Sequence, residues 1–307
     1  MVRSRRNIVI ACITTAVLIA AVGLFNPKAC HAEDFIEPFG YADARLLGMG
    51  YSYVGLWGDP NPLYSNPASF GLTRGVLSLS LGTSFGGCAE DGNFRFVSVT
   101  DEARDAGAGG FAWGQYKWFE ENGEFTNNTF NYMVGQAFKD LGSLGIGLRY
   151  GRGAEYSGYT MVSSWQGFAT DVGIMLRHKM VTLGVLARDV TTTQLKFLDG
   201  TSQEVAPTYS LGLSLRPVKG AVIALDVHEL SVGEGVATGA ISGGFEGKLS
   251  PYIAVRGGMI LEDGFKGGIT AYTGGLGLFF GDFELGYACL FSEEQIKKQC
   301  LSVMRRF

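Results

Sequence analysis

Charged and titratable residues punctuate the middle of the chain, among them Arg149, Asp171, Arg177, Arg188, Arg216, Asp226, His228 and Glu246. Mixed charges of this kind suit two tasks. In an enclosed space they pair with one another as filler. Alternatively, Arg149, Arg177 or Arg188 holds the anionic headgroup of a ligand, because a guanidinium matches a carboxylate. Catalysis asks for more. Beyond residue 32 only two histidines remain, His178 and His228. His228 shares a face with Asp226 and serines are plentiful, but no Gly-x-Ser-x-Gly elbow stands at a strand-to-helix turn. Gly-rich runs such as GEGVATGA lack the helix and Lys of a phosphate loop. No nucleophile, base and orienter fall together, so neither an enzyme nor a cofactor is expected. Cys88, Cys289 and Cys300 form no CxxC and no Cys/His cluster, which leaves no metal site. Cys289 and Cys300 flank a candidate hairpin. They either pair across it, as export permits, or stand as separate small apolar residues on strands.

The charges above sit on segments with a period of two. Leu144, Ile146, Leu148 and Tyr150 alternate with Gly145, Gly147 and Arg149. Phe168, Thr170, Val172, Ile174 and Leu176 alternate with Ala169, Asp171, Gly173, Met175 and Arg177. Leu211, Leu213 and Leu215 alternate with Gly212, Ser214 and Arg216, and Ile223, Leu225 and Val227 with Ala224, Asp226 and His228. Alternation of this kind predicts strands with one apolar and one polar or small face. Residues 75–307 hold about fourteen such strands, because a tilted spanning strand takes about 9–11 residues. From the fourth strand on, tight turns (KDLGS, HK, PVKG, KLS, GD) alternate with longer connections such as RGAEYSGYTMVSSW and VTTTQLKFLDGTSQEV. Short turns on one side and long loops on the other predict an all-β, antiparallel transmembrane barrel. Apolar rows then face lipid, and the charges listed first face the lumen. Trp113, Tyr116, Trp118 and Phe119 are expected to form an interfacial girdle. The last strand ends on Phe307, after Leu301, Val303 and Arg305 on one face. A terminal aromatic on such a strand is the usual signal read by the barrel assembly machinery.

The chain opens with Arg3, Arg5 and Arg6, then an uncharged apolar run from Ile8 to Phe25. Small residues at Cys30 and Ala32 complete a secretory signal over residues 1–32; a spanning helix and a lipoprotein signal are the competing readings. Removing residues 1–32 takes four of the 25 basic residues and no acid, so 21 bases face 29 acids, a charge of −8. Nucleic-acid binding wants the opposite balance.

Residues 33–74 are different. The stretch LLGMGYSYVGLWGDPNPLYSNPASFGL (46–72) carries Gly, Pro and Asn together with Trp57, Tyr64 and Phe70. Turn chemistry beside large apolar groups requires a surrounding wall that both buries the side chains and satisfies the backbone. Ala44-Arg45, Gly48-Met49-Gly50, Asp59, and Tyr64 with Asn66-Pro67-Ala68 resemble the N-terminal signature of the FadL-like outer-membrane proteins, closest to their PorV/PorQ branch. LGYACLF and CLSVMRRF near the C-terminus are similar to that family too. The resemblance implies a fourteen-stranded monomeric barrel in the bacterial outer membrane, with residues 33–74 folded inward as a hatch that either plugs the lumen or gates it. It further implies passive passage of small hydrophobic molecules, fatty-acid-like or aromatic. The alternatives are an accessory that receives or anchors secreted proteins, and a non-transporting structural barrel.

Overall fold

The computed structural model describes residues 42–58, 61–73, 77–86, 93–103, 107–120, 123–138, 141–191, 193–233, 235–237, 239–262, 270–292 and 295–307. Among the described residues seventeen strands follow two short helices, α1 (Ala44–Gly48) and α2 (Ala68–Leu72). The strands are β1 (Ser78–Gly86), β2 (Asn93–Ala103), β3 (Gly107–Glu120), β4 (Gly123–Phe138), β5 (Gly142–Ser157), β6 (Thr160–His178), β7 (Val181–Arg188), β8 (Thr193–Phe197), β9 (Ser202–Val205), β10 (Thr208–Leu215), β11 (Ala221–Gly233), β12 (Gly235–Ala237), β13 (Ala240–Ser250), β14 (Ile253–Glu262), β15 (Ala271–Phe280), β16 (Phe283–Ser292) and β17 (Gln295–Arg306).

Every pairing is antiparallel, and β1 pairs with both β2 and β17, from Ser78↔Arg306 to Gly86↔Lys298, so the sheet closes on itself. The short strands β8, β9 and β12 add to the rim, which leaves fourteen in the wall. Closure pairs the ladder all round and removes the free edges that hydrocarbon would not tolerate.

Alternation decides which side each residue faces. Leu144, Ile146 and Leu148 are 51–55% exposed on the outside, whereas Arg149 is 6% exposed. Leu183, Leu213, Leu225 and Leu276 continue the outer band on other strands. An apolar exterior around a polar interior inverts the order of a water-soluble fold and fits a bilayer as solvent. Arg305 on this outer face stacks over Phe283 and Phe307, at 5.2 and 4.4 Å from the ring centres. The guanidinium is thereby accommodated among aromatic groups at the strand end.

Several expectations need correcting. The stretch RGAEYSGYTMVSSW is not a loop: β5 and β6 run on through it and turn only at Gly158-Tyr159. The strands there extend past the length a membrane requires. Within the connection after β7, β8 and β9 form a hairpin whose Leu195 and Val205 pack against Trp165 and Phe197. The proposed aromatic girdle is split. Trp113 shares the outer face with Phe111, while Tyr116, an odd number of residues away, packs into the interior cluster. The side chains of Trp118 and Phe119 lie outside the described part. Cys289 and Cys300 are both free. In the ladder Cys300 faces Ala288 and Cys289 faces Gln299, so the two thiols point to opposite faces of the wall. Cys88 lies outside the described residues.

Candidate functional site

Residues 42–58 and 61–73 lie inside the ring. Asp43 starts α1, its carboxylate accepting from Leu46 N at 2.8 Å. The helix ends at Met49, and Gly50 and Tyr51 both take positive φ, 64° and 62°. Gly50 is suited to that conformation and has no room for a side chain, since a Cβ there would stand 2.9 Å from the Gly243 carbonyl. The segment then runs across β13, β11, β10 and β7, turns, and ends in α2 against β3, β4 and β5.

The wall accommodates it with inward-facing glycines. A Cβ on Gly258 would stand 2.5 Å from Gly50 N. On Gly244 it would overlap the Met49 carbonyl, on Gly184 that of Val54, and on Gly145 the Pro67-Ala68 peptide. Gly244 and Gly258 are direct cross-strand partners. The plug backbone therefore sits in a groove made by missing side chains. The obstructing atoms are backbone, so substitution would displace the segment itself.

Polar groups settle the remaining backbone. Asp226 accepts from Tyr53 N at 2.5 Å and Val54 N at 2.6 Å. Asn66, fully buried, donates to Val54 O and Val185 O at 3.0 and 3.1 Å and accepts from Ala68 N at 3.0 Å. The Ser143 hydroxyl donates to Ala68 O at 2.5 Å. Tyr64 OH accepts from Asp43 N at 3.1 Å, joining the two halves of the plug. Buried turns survive because the wall supplies their partners.

Charges complete the attachment. Arg45 on α1 grips Glu246 on β13 with two bonds, Nε–Oε2 at 2.9 Å and Nη2–Oε1 at 3.1 Å. This is the bidentate fork that Lys cannot make. Arg256 adds Nε to the same Glu246 at 2.8 Å and Nη2 to Glu284 at 2.6 Å, and Arg306 meets Glu284 at 3.1 Å. A second cluster joins Arg149 to Asp171 at 3.3 Å and to Asp189 at 2.9 Å. Asp189 (φ 56°) directly follows β7. Arg188 lies over the Tyr53 ring at 5.5 Å and donates to Tyr64 O at 3.4 Å. His228 bonds Ser242 through Nε2 at 2.8 Å, and Ser242 meets Ser52 at 3.0 Å.

Of the sequence-selected positions, Gly48, Met49, Gly50, Pro67 and Ala68 touch the wall as plug backbone, and Asn66 and Tyr64 are buried braces. Asp59 lies outside the described residues. Trp57 was expected in the core but is only half-buried. Its ring lies between Arg177 and Arg216, 4.8 and 4.2 Å from their Cζ atoms, its Nε1 donates to Thr182 at 3.1 Å, and its carbonyl accepts from Arg216. Arg149 and Asp171 come together; Arg177 and Arg216 meet only across Trp57; Asp226 bonds the plug backbone directly, whereas His228 reaches Ser52 through Ser242 on β13. Sequence reading passed over Arg256, Glu284, Arg306 and Asp189. Arg256 and Glu284 were findable, since each stands on the small-residue face of its strand, beside Ala254 and Gly258 or Gly286.

Two voids adjoin the plug. One of about 30 Å³ lies between its halves, walled by Leu46, Met49, Tyr53, Leu56 and Tyr64 with the polar Asp43, Arg45 and Ser65. Another, about 530 Å³, opens on the tight-turn side below Trp57. Arg45 and Trp57 line both.

No protein-family model and no curated protein matches the chain. Solved structures match in shape. The Pseudomonas putida toluene transporter TodX aligns with a TM-score of 0.62 at 13% identity, over 88% of this chain and 99% of that one. A Pseudomonas aeruginosa FadL homologue gives 0.60 at 10% identity, over 86% and 98%. The Ralstonia pickettii toluene transporter TbuX gives 0.60 at 9%, over 87% and 99%. The chain thus has the closed fourteen-stranded fold of the FadL-like outer-membrane barrels.

Proposed function

We propose that the protein is a passive outer-membrane conduit for small hydrophobic molecules, aromatic or fatty-acid-like. In this reading it is exported on residues 1–32, inserted by the barrel assembly machinery through β17 and Phe307, and active as a monomer. The observation that carries the proposal is the shared shape with toluene transporters over nearly the full length of both chains. The small void inside the plug and the larger cavity below it, with Arg45 and Trp57 on the walls of both, support a route on the tight-turn side. A solute would pass by displacing Trp57 and the plug segment around it. The test is uptake of labelled toluene by intact cells with and without the protein, beside mass spectrometry of ligands retained by the purified barrel. Faster uptake with the protein, and faster still without residues 33–74, is the expected result. Equal uptake in all three strains, with no retained ligand, rejects the proposal.

The ion-paired lumen favours a second reading, a closed barrel that serves protein secretion or surface attachment in the manner of the PorV/PorQ branch. The rim hairpin β8–β9 would then contact exported proteins. Cross-linking from that hairpin to a secreted protein, with no effect on toluene uptake, would select this reading.

A further inference from the structure

The cavity on the tight-turn side carries an unbalanced charge. Arg45, Arg216, Lys219, Lys248, Arg256 and Arg306 line it against Glu246 and Glu284. Both acids are fully engaged: each of their four oxygens accepts from Arg45, Arg256 or Arg306. Among the described residues no carboxylate pairs with Arg216, Lys219 or Lys248. Two buried donors on this wall have no partner, Arg216 Nε and Arg256 Nη1. Arg256 is only 5% exposed. Its guanidinium lies against Gly277 and Gly286, where a Cβ would approach Nη1 at 3.3 and 3.7 Å. A buried, incompletely satisfied guanidinium favours an anionic acceptor with more than one oxygen. The rest of the lining is apolar: Trp57, Val218, Val222 and Phe279 among others.

We propose that this cavity is a binding site for a small organic monocarboxylate with a compact apolar body, such as an aromatic acid. Arg216 holds the carboxylate, Arg256, Lys219 and Lys248 raise the local potential, and the apolar body lies against Trp57 and Phe279. An inorganic anion would satisfy the charges and leave the apolar wall unused. A neutral hydrocarbon of the same shape would do the reverse. The site goes beyond the conduit reading and does not depend on it, because binding is measured without transport.

The test is calorimetric titration of the purified full-length barrel with benzoate, toluene and inorganic phosphate. Benzoate is expected to bind saturably and at least tenfold more tightly than either of the others. K219Q/K248Q should weaken benzoate several-fold and flatten the salt dependence, while K298Q, on β17 away from the cavity, should change nothing. R216Q should weaken it tenfold or more. Should R216Q not fold, the lysine pair and the three-ligand comparison still decide. Toluene binding as well as benzoate, phosphate binding as well as benzoate, or no saturable benzoate binding would each overturn the proposal. A barrel that binds benzoate yet fails to speed toluene uptake would reject the conduit and keep the site.

Discussion

At Asp226 one carboxylate holds the plug where it crosses β11. Two adjacent backbone N–H groups, of Tyr53 and Val54, converge on a single oxygen. Truncation to Ala leaves both buried and unpaired, at about 1–3 kcal/mol each. The expected outcome of Asp226→Ala is faster hydrogen exchange at residues 52–55 with the barrel's own heat-modifiable migration retained. Arg149 is the opposite case, one cation serving Asp171 and Asp189. Arg149→Ala strands two buried carboxylates, and removing one partner of such a cluster costs about 3–5 kcal/mol. A correspondingly lower denaturant midpoint is expected, and Arg149→Lys should recover only part of it, because a single ammonium replaces a planar fork.

At the scale of elements, the plug and the wall are matched backbone to backbone. Gly244→Ala would force the Met49 carbonyl away from β13. Overpacking of this sort costs about 1–3 kcal/mol, and here it falls on the plug and spares the ladder. The expected result is a closed barrel whose residues 42–73 have become sensitive to limited proteolysis. Were the plug equally protected, close glycine packing would not be what seats it. The last strand is a separate matter. Phe307 N donates to Leu77 O at 2.9 Å, and Arg305 stacks on the Phe307 ring, so the terminal residue helps close the seam between β1 and β17. Deleting Phe307 should lower the folded fraction recovered from membranes, read as the ratio of compact to extended bands.

For the whole molecule, the outer face determines where the protein can live. Ile146 is 52% exposed in the middle of the apolar band, between Val134 and Val172 on neighbouring strands. An Arg near the bilayer midplane costs about 2–4 kcal/mol in a barrel. Ile146→Arg should therefore make folding into bilayers less favourable by that amount. The same substitution at Tyr159, on the tip of the β5–β6 hairpin, should have little effect. Equal effects at the two positions would place the membrane elsewhere on the wall.

Alternation made the wall legible in the sequence. A period of two, sustained through Leu144–Tyr150 and Phe168–Arg177, fixes which side chains share a face, and sterics alone enforce it. Strand number followed from length and rhythm, and the inward position of Arg149, Asp171, Asp226 and Glu246 followed from parity. Partnership did not follow. That Arg45 takes Glu246, or that Arg256 stands between Glu246 and Glu284, depends on register around a closed ring and on a segment folded back within it, separations of about 200 residues for the first pair. The same holds for Cys289 and Cys300, whose sequence separation suits a hairpin but whose register sets them on opposite faces. Local sequence acts through φ and ψ and the alternation of side chains, so it determined the strands. Only closure of the barrel around the plug brought distant groups within bonding distance, and so decided what lies in the lumen.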